Sequence, residues 1–364
     1  MDYSKEQLAR IWLQSAPMNG WNKLSALKKK LGGALAVWEQ FTPALYDALG
    51  PQLFAELADR RMHRCSDVLA LLSQCGARAV FYGEADYPAL LAAIDDPPDV
   101  LFLRGKLPPN DTPAVAIVGS RSCTRYGQAQ AGRIAKELGG AGVCVVSGLA
   151  RGIDAAAHQG ALGGGGPTVA VLGCGIAQCY PPENKALFQQ ILADGGAVVS
   201  ELHPAAPPLP YHFPVRNRII SGFSHALLLI EAREKSGTHS TVHYALNQGR
   251  EVFALPGNVD APGSELPLKL LKEGAGICTC GEDIIAAMGW QRAAPAPQQQ
   301  TLLGGDDASE QNPILRALSM EEKTLEELIA QTGLSASELG TQLTLLELNG
   351  QIERRAGRAY ARLR

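Results

Sequence analysis

Between Ala77 and Trp290, short apolar β-branched runs alternate with stretches of helical periodicity, and this constrains the fold more than any other feature. The runs are Val115-Ala116-Ile117-Val118, Val143-Cys144-Val145-Val146, Thr168 to Leu172, Ala197-Val198-Val199, Ala226 to Ile230 and Glu251-Val252-Phe253-Ala254. Most are continuously apolar rather than alternating, as buried parallel strands are. Parallel neighbours need a crossover, usually a helix, and the segments between the runs have that length and pattern. The expected fold class is α/β, an extended Rossmann-like, doubly wound, mostly parallel sheet.

The flanks differ in texture. Residues 1–75 read as a small helical domain, similar to a SAM or helix-hairpin-helix unit, from the spacing of Leu8, Ile11 and Trp12 and of Leu24, Leu27 and Leu31. Met18-Asn19-Gly20 followed by Lys23, Lys28, Lys29 and Lys30 reads either as a hairpin meeting a DNA backbone or as a solvated helix face. The sheet domain then spans residues 76–292, and residues 293–312, rich in Ala, Pro, Gln and Gly, form a linker. In residues 313–364 two capping boxes, Thr324-x-x-Glu327 and Ser335-x-x-Glu338, each open a helix, and a hairpin is expected around Gly357. That order predicts a winged helix.

The net charge is −3, so the overall field does not hold the chain to nucleic acid, and any such site must be a local cluster of Arg and Lys. Met1 to Leu13 lacks the apolar core of a secretory signal, and no apolar run reaches the ~20 residues of a membrane span. The eight cysteines form no C-x-x-C pair and read as reduced thiols of a cytoplasmic protein. Cys278 and Cys280 are expected to share one face of a strand.

In an open parallel sheet, ligands bind beyond the carboxyl ends of strands, beside helix N-termini. Gly119-Ser120-Arg121 with Thr124, Ser147-Gly148 with Arg151, Asn184, Arg216-Asn217-Arg218, and Ser236-Gly237-Thr238 fall at or near such ends. Glycine allows close backbone approach to an anion, hydroxyls add donors, and arginine forks match phosphate. These residues are the candidate DNA and phosphate site, with Asp154 and Glu231 placed to orient the arginines or bind a ribose.

Other chemistries fit poorly. The turn after the Val115 run is Gly119-x-x-x rather than G-x-G-x-x-G, and no G-x-x-x-x-G-K-[ST] occurs. Gly163 to Gly166 reads as a flexible connection. His158 reads as a core histidine, His239 and His243 lack the intervening Glu of H-E-x-x-H, and His203 and His212 lack ligand spacing. No catalytic residue, cofactor or metal is expected.

Taken together, Tyr87-Pro88-x-x-Leu91, Asp96-Pro97-Pro98-x-x-Leu101, Val118-Gly119-Ser120-Arg121, the stretch from Ser147 to His158, Tyr180-Pro181-x-x-Asn184, Phe213-Pro214-x-Arg216-Asn217-Arg218, Glu231-Ala232 with Ser236-Gly237, and Leu255-Pro256-Gly257 resemble the DNA-processing protein A (DprA/Smf) family. The resemblance implies a helical domain, a Rossmann domain and a winged helix. It also implies sequence-independent binding of single-stranded DNA, protection of incoming strands in natural transformation, loading of the RecA recombinase, self-association as a homodimer, and no catalysis. By resemblance the phosphate pocket carries over as Arg121, Ser147, Gly148, Arg151, Arg216, Asn217 and Arg218. His239-Ser240 and Val242 depart from the family pattern after Ser236-Gly237.

Two rivals remain at this stage. A nucleotide phosphoribohydrolase on a related core carries P-G-G-x-G-T-x-x-E, whereas Glu231 to Thr238 lacks the paired Gly. A sequence-specific regulator would read DNA through the helix after Ser335, which has Glu338 and Glu347 but no Lys or Arg. Arg354, Arg355, Arg358, Arg362 and Arg364 make only the hairpin basic.

Overall fold

The computed structural model describes residues 3–62, 65–291, 313–318, 323–348, 351–354 and 359–362. Two compact units divide the chain, Met1–Ala296 and Pro297–Arg364. The linker expected over 293–312 and the hairpin residues Arg355, Arg358 and Arg364 lie outside the described residues, as do the side chains of Arg354 and Arg362.

Six short helices open the first unit: α1 (Lys5–Gln14), α2 (Trp21–Leu31), α3 (Ala34–Glu39), α4 (Tyr46–Leu49), α5 (Pro51–Met62) and α6 (Ser66–Cys75). Ser4 and Gln7 close a capping box at the start of α1, whose buried face is Ile11, Trp12 and Leu13. The Trp12 indole donates to the Leu57 carbonyl at 2.8 Å. Within the lysine run, Lys23 donates to the Leu49 carbonyl at 3.0 Å and Lys28 pairs with Asp99 at 3.0 Å. Two of its cations therefore serve the fold, while Lys29 and Lys30 stay exposed.

A nine-stranded sheet follows: β1 (Ala77–Phe81), β2 (Val100–Gly105), β3 (Ala114–Val118), β4 (Cys144–Ser147), β5 (Thr168–Val171), β6 (Ala197–Ser200), β7 (Ala226–Leu229), β8 (Glu251–Ala254) and β9 (Gly276–Ile277). Its order is β1-β2-β6-β5-β4-β3-β7-β8-β9. All pairings are parallel except β1 with β2 and β2 with β6. The mostly parallel doubly wound sheet is as the alternating pattern predicts, while the antiparallel edge was not legible. Arg78 and Arg104 break the apolar runs of β1 and β2, and β9 has only two residues.

From β3 the chain winds through β4 and β5 to β6, then crosses back to β7 on the other side of β3. The strand order therefore reverses between β3 and β7, where open α/β sheets bind their ligands. Helix α7 (Ala89–Ala92) precedes β2 and α10 (Lys185–Ala193) links β5 to β6. Val115 and Ile117 face a core shared with α8 (Arg125–Gly140), α9 (Ile153–Gly163) and α14 (Gly281–Ala287). Ala116 and Val118 face the opposite core, shared with α11 (His212–Gly222), α12 (Thr238–Asn247) and α13 (Glu265–Lys272).

Several readings need correcting. Phe213 to Arg218, placed near a strand end, lies on helix α11. The glycine run that connects α9 to β5 packs tightly on α8: a Cβ on Gly166 would lie 2.6 Å from the Gly139 carbonyl oxygen. Cys278 and Cys280 do not share a strand, because β9 ends at Ile277 and Cys280 caps α14. All eight cysteines are free.

In the second unit Thr324 caps the helix Leu325–Thr332, with Glu327 returning its bond, and Ser335 and Glu338 pair the same way before the helix Ala336–Leu348. A small sheet pairs Lys323–Thr324 and Ile352–Arg354 with Ala359–Arg362. This is the expected winged helix, built around Ile314, Leu328, Leu339 and Leu343.

Candidate nucleic-acid interface

At the switch point, the Ser120 amide donates to the Glu231 carbonyl at 2.7 Å, which locks the loop after β3 to the end of β7. Gly119 is required there, because a Cβ would lie 2.6 Å from Ile153 Cγ1 and 3.0 Å from the Glu231 carbonyl oxygen. Thr238, the first residue of α12, donates its hydroxyl to the Gly119 carbonyl at 3.3 Å. The result is an open cleft of about 490 Å³ whose wall carries Gly119, Ser120, Arg121, Arg216, Ser236 and Thr238. Asn217 and Gly237 also line it. Gly148 and Arg151 border an adjoining recess beside Arg121.

Arg121 is exposed and makes no ion pair among the described residues. Its guanidinium carbon lies 5.1 Å from the centroid of the Phe213 ring. A cation held over an aromatic face keeps its outward donors available. Neither Asp154 nor Glu231 reaches it. Glu231 instead accepts the Thr124 amide at 2.8 Å and the Thr124 hydroxyl at 2.5 Å, fixing the cap of α8.

Arg216 is buried. It donates to the Gly148 carbonyl at 3.0 Å and to the Val171 carbonyl, so it braces the ends of β4 and β5 from below. Burial lowers its pKa to about 10, with Asp154 opposing the shift. Asp154, also buried, takes the Gly148 and Ala150 amides at 3.2 and 3.4 Å, and burial raises its carboxyl despite Arg216. This tightens a loop in which Leu149 has φ of 54° and Gly152 of 74°.

The side chains of other candidates are bonded to the protein itself. The Ser147 hydroxyl donates to the Ile117 carbonyl at 2.7 Å, joining β4 to β3. Asn184 donates to the carbonyls of Leu149 and Ala150 at 2.9 and 3.2 Å, holding the strained loop. Asn217 donates to Ser240 at 2.9 Å, tying α11 to α12. Arg151 pairs with Glu183. Arg218 lies two residues beyond Arg216 on α11, a spacing that does not share a helix face. It grips the buried Glu201 with two bonds, 2.9 and 2.7 Å, and meets Asp96 at 3.2 Å. Burial opposes its charge, but those carboxylates outweigh burial and raise its pKa. Its donors are engaged away from the cleft.

Tyr180, Phe213, Pro208 and Pro210 also line the cleft, and sequence reasoning did not single them out as site residues. Pro208 and Pro210 come from the Pro-rich stretch before Phe213, which forms this wall. His158 is a core residue as read: its Nδ1 lies 2.7 Å from the Thr168 hydroxyl, and burial lowers its pKa to about 3.

The sheet order and the locked switch point define a Rossmann-like protein. The family described as DNA recombination-mediator protein A matches residues 78–289, and the DprA winged helix domain matches residues 292–358. Protein Smf of Escherichia coli (strain K12) is 41% identical over 288 residues, covering 76% of this chain and 75% of its own length. DNA processing protein DprA of Streptococcus pneumoniae is 42% identical over 200 residues, 55% of this chain and 70% of the relative. The X-ray structure of DprA from Streptococcus pneumoniae matches with a TM-score of 0.63 at 33% identity, over 79% of this chain and 98% of that one. The structure of DNA processing protein A from Helicobacter pylori, which concerns that protein's single-stranded DNA binding mode, matches with a TM-score of 0.53 at 28% identity, over 58% and 95%. The chain belongs to the DNA recombination-mediator protein A (DprA/Smf) family.

Proposed function

We propose that the cleft holds the sugar–phosphate backbone of single-stranded DNA without sequence preference. The observation that carries this reading is Arg121, an exposed arginine at the switch point with no ion pair among the described residues. Around it stand the N-terminus of α12 and the Ser120 and Ser236 hydroxyls, a donor set suited to an anion. The exposed Tyr180, beside the Phe213 ring that carries Arg121, offers a ring face on which any base can stack. The single-stranded DNA binding mode of the Helicobacter pylori relative supports the same assignment.

On this reading the protein protects incoming strands and helps load the RecA recombinase during natural transformation and recombination. It works as a homodimer in the cytoplasm and carries out no catalytic step. Family membership supports those roles. Self-association near Leu266 to Leu271 is supported by Leu268 and Leu271, which stay half-buried while Leu266 and Leu270 fill the core. No described helix is long and apolar enough to cross a membrane.

The test is a salt titration of binding to single-stranded, duplex and mononucleotide ligands. The reading expects preference for the single strand and a linear fall of log K with log salt. Tight mononucleotide binding with release of the free base would replace it with a hydrolase.

A further inference from the structure

Arg121 is not the only cation at this end of the sheet that lacks an ion pair among the described residues. Arg125 opens α8, and Tyr126 beside it is 51% exposed. The bonds from Thr124 to Glu231 join the start of α8 to the exit of β7. Arg125 follows Thr124 by one residue and Arg233 follows Glu231 by two, so the two cations flank this junction in sequence. Lys235 adjoins Ser236 in the cleft wall. Arg125, Arg233 and Lys235 are all exposed, and none has an ion pair among the described residues.

Two nearby carboxylates are already engaged: Glu231 on Thr124, and Glu234 on Lys269 at 2.7 Å. Glu265 accepts the Glu234 amide at 3.1 Å. Across the cleft, Arg151 is neutralised by Glu183, so the two flanks differ.

The fold gains nothing from this placement. Arg125 occupies the first turn of a 16-residue helix, and Lys235 stands just before the start of α12. Both are at the positive ends of helix dipoles, where a cation is destabilising and an anion is favoured. An exposed ring among unpaired cations suits a single-stranded nucleic acid, which offers phosphates and stackable bases together.

We propose that the single strand leaves the cleft across this patch, with phosphates on Arg125, Arg233 and Lys235 and one base stacked on Tyr126. This rests on the reading of the cleft as a single-strand site, and it adds a direction and a longer footprint.

The experiment uses the full chain with oligothymidines of about 4 and about 20 nucleotides. The triple variant Arg125→Ala, Arg233→Ala, Lys235→Ala is expected to bind the short strand as before. On the long strand its salt slope should fall by about 2, roughly 0.7 for each lost phosphate contact. Tyr126→Ala should weaken the long strand roughly tenfold without changing the slope, and Tyr126→Phe should restore binding. Arg233→Glu, in an exposed loop, gives a single-site check should the triple variant fold poorly; it should also lower the long-strand slope. Unchanged long-strand slopes, in variants of a protein that still loses binding on Arg121→Ala, would overturn the exit path alone. Equal losses on both lengths would overturn it too, by making these cations part of the cleft. If Arg121→Ala has no effect, the reading of the cleft fails first.

Discussion

The Arg121 guanidinium rests 5.1 Å above the centre of the Phe213 ring, with no carboxylate paired to it among the described residues. An aromatic face orients a cation without cancelling its charge. Arg216 lies 5.8 Å from the centre of the same ring but is buried and bonded to strand-end carbonyls. One arginine is thus available to a ligand, and the other keeps the wall in shape.

Arg218 illustrates the opposite use of the same side chain. Arg218→Ala would leave Glu201, 2% exposed, as a buried carboxylate without its partner. The expected cost is about 3–5 kcal/mol of stability by denaturant titration. A variant that kept its stability and lost only DNA affinity would move Arg218 back into the binding site.

Gly148→Ala should disturb the floor of the recess. The added Cβ would stand 2.7 Å from Arg216 Nη2 and 2.8 Å from Asp154 Oδ2, in a region too packed to yield freely. A loss of about 1–3 kcal/mol in stability is expected, with weaker single-strand binding from the folded fraction. Wild-type stability together with wild-type affinity would show that the Arg216–Asp154 brace is not needed.

His158 makes stability depend on pH. Burial, reinforced by Arg216, holds it neutral in the folded protein down to about pH 3, against an ordinary value of 6.5. Between those values the unfolded chain binds the extra proton. The contribution of His158 is therefore fully present above pH 6.5 and is lost as pH falls. Its share of the slope is at most about 1.4 kcal/mol per pH unit. In His158→Gln the stability–pH curve should be flatter across that window, and an unchanged slope would contradict the assignment.

Removing residues 313–364 should leave single-strand binding largely intact, because every cleft residue lies between Val118 and Thr241. A tenfold loss, about 1.4 kcal/mol, measured with the truncated protein would give the winged helix a direct part in binding.

The central fold was legible because buried parallel strands need near-continuous apolar runs, and β3 to β8 supply them. The antiparallel edge was hidden, since its strands carry Arg78 and Arg104 and imitate surface segments. At the site, Gly119, Arg121 and Thr238 could be placed from strand ends alone. The roles of Arg216 and Arg218 could not, because only the helical geometry of α11 separates residues two apart. Ser147, Thr124 and Asn184 have side chains a phosphate could use, yet each is bonded to the protein itself. Partner choice of this kind depends on tertiary contacts that a local motif does not carry.

The most direct test of the account is the salt dependence of oligothymidine binding by Arg121→Ala. Arg121 is exposed, so its truncation removes no core volume and the unfolding midpoint should stay at the wild-type value. Affinity should fall about equally for all single-stranded sequences, since phosphate contacts carry no base information. The slope of log K against log salt should drop by about 0.7, the value for one phosphate contact on a single strand. A folded variant with wild-type affinity and wild-type slope would contradict the assignment of the cleft as the DNA site.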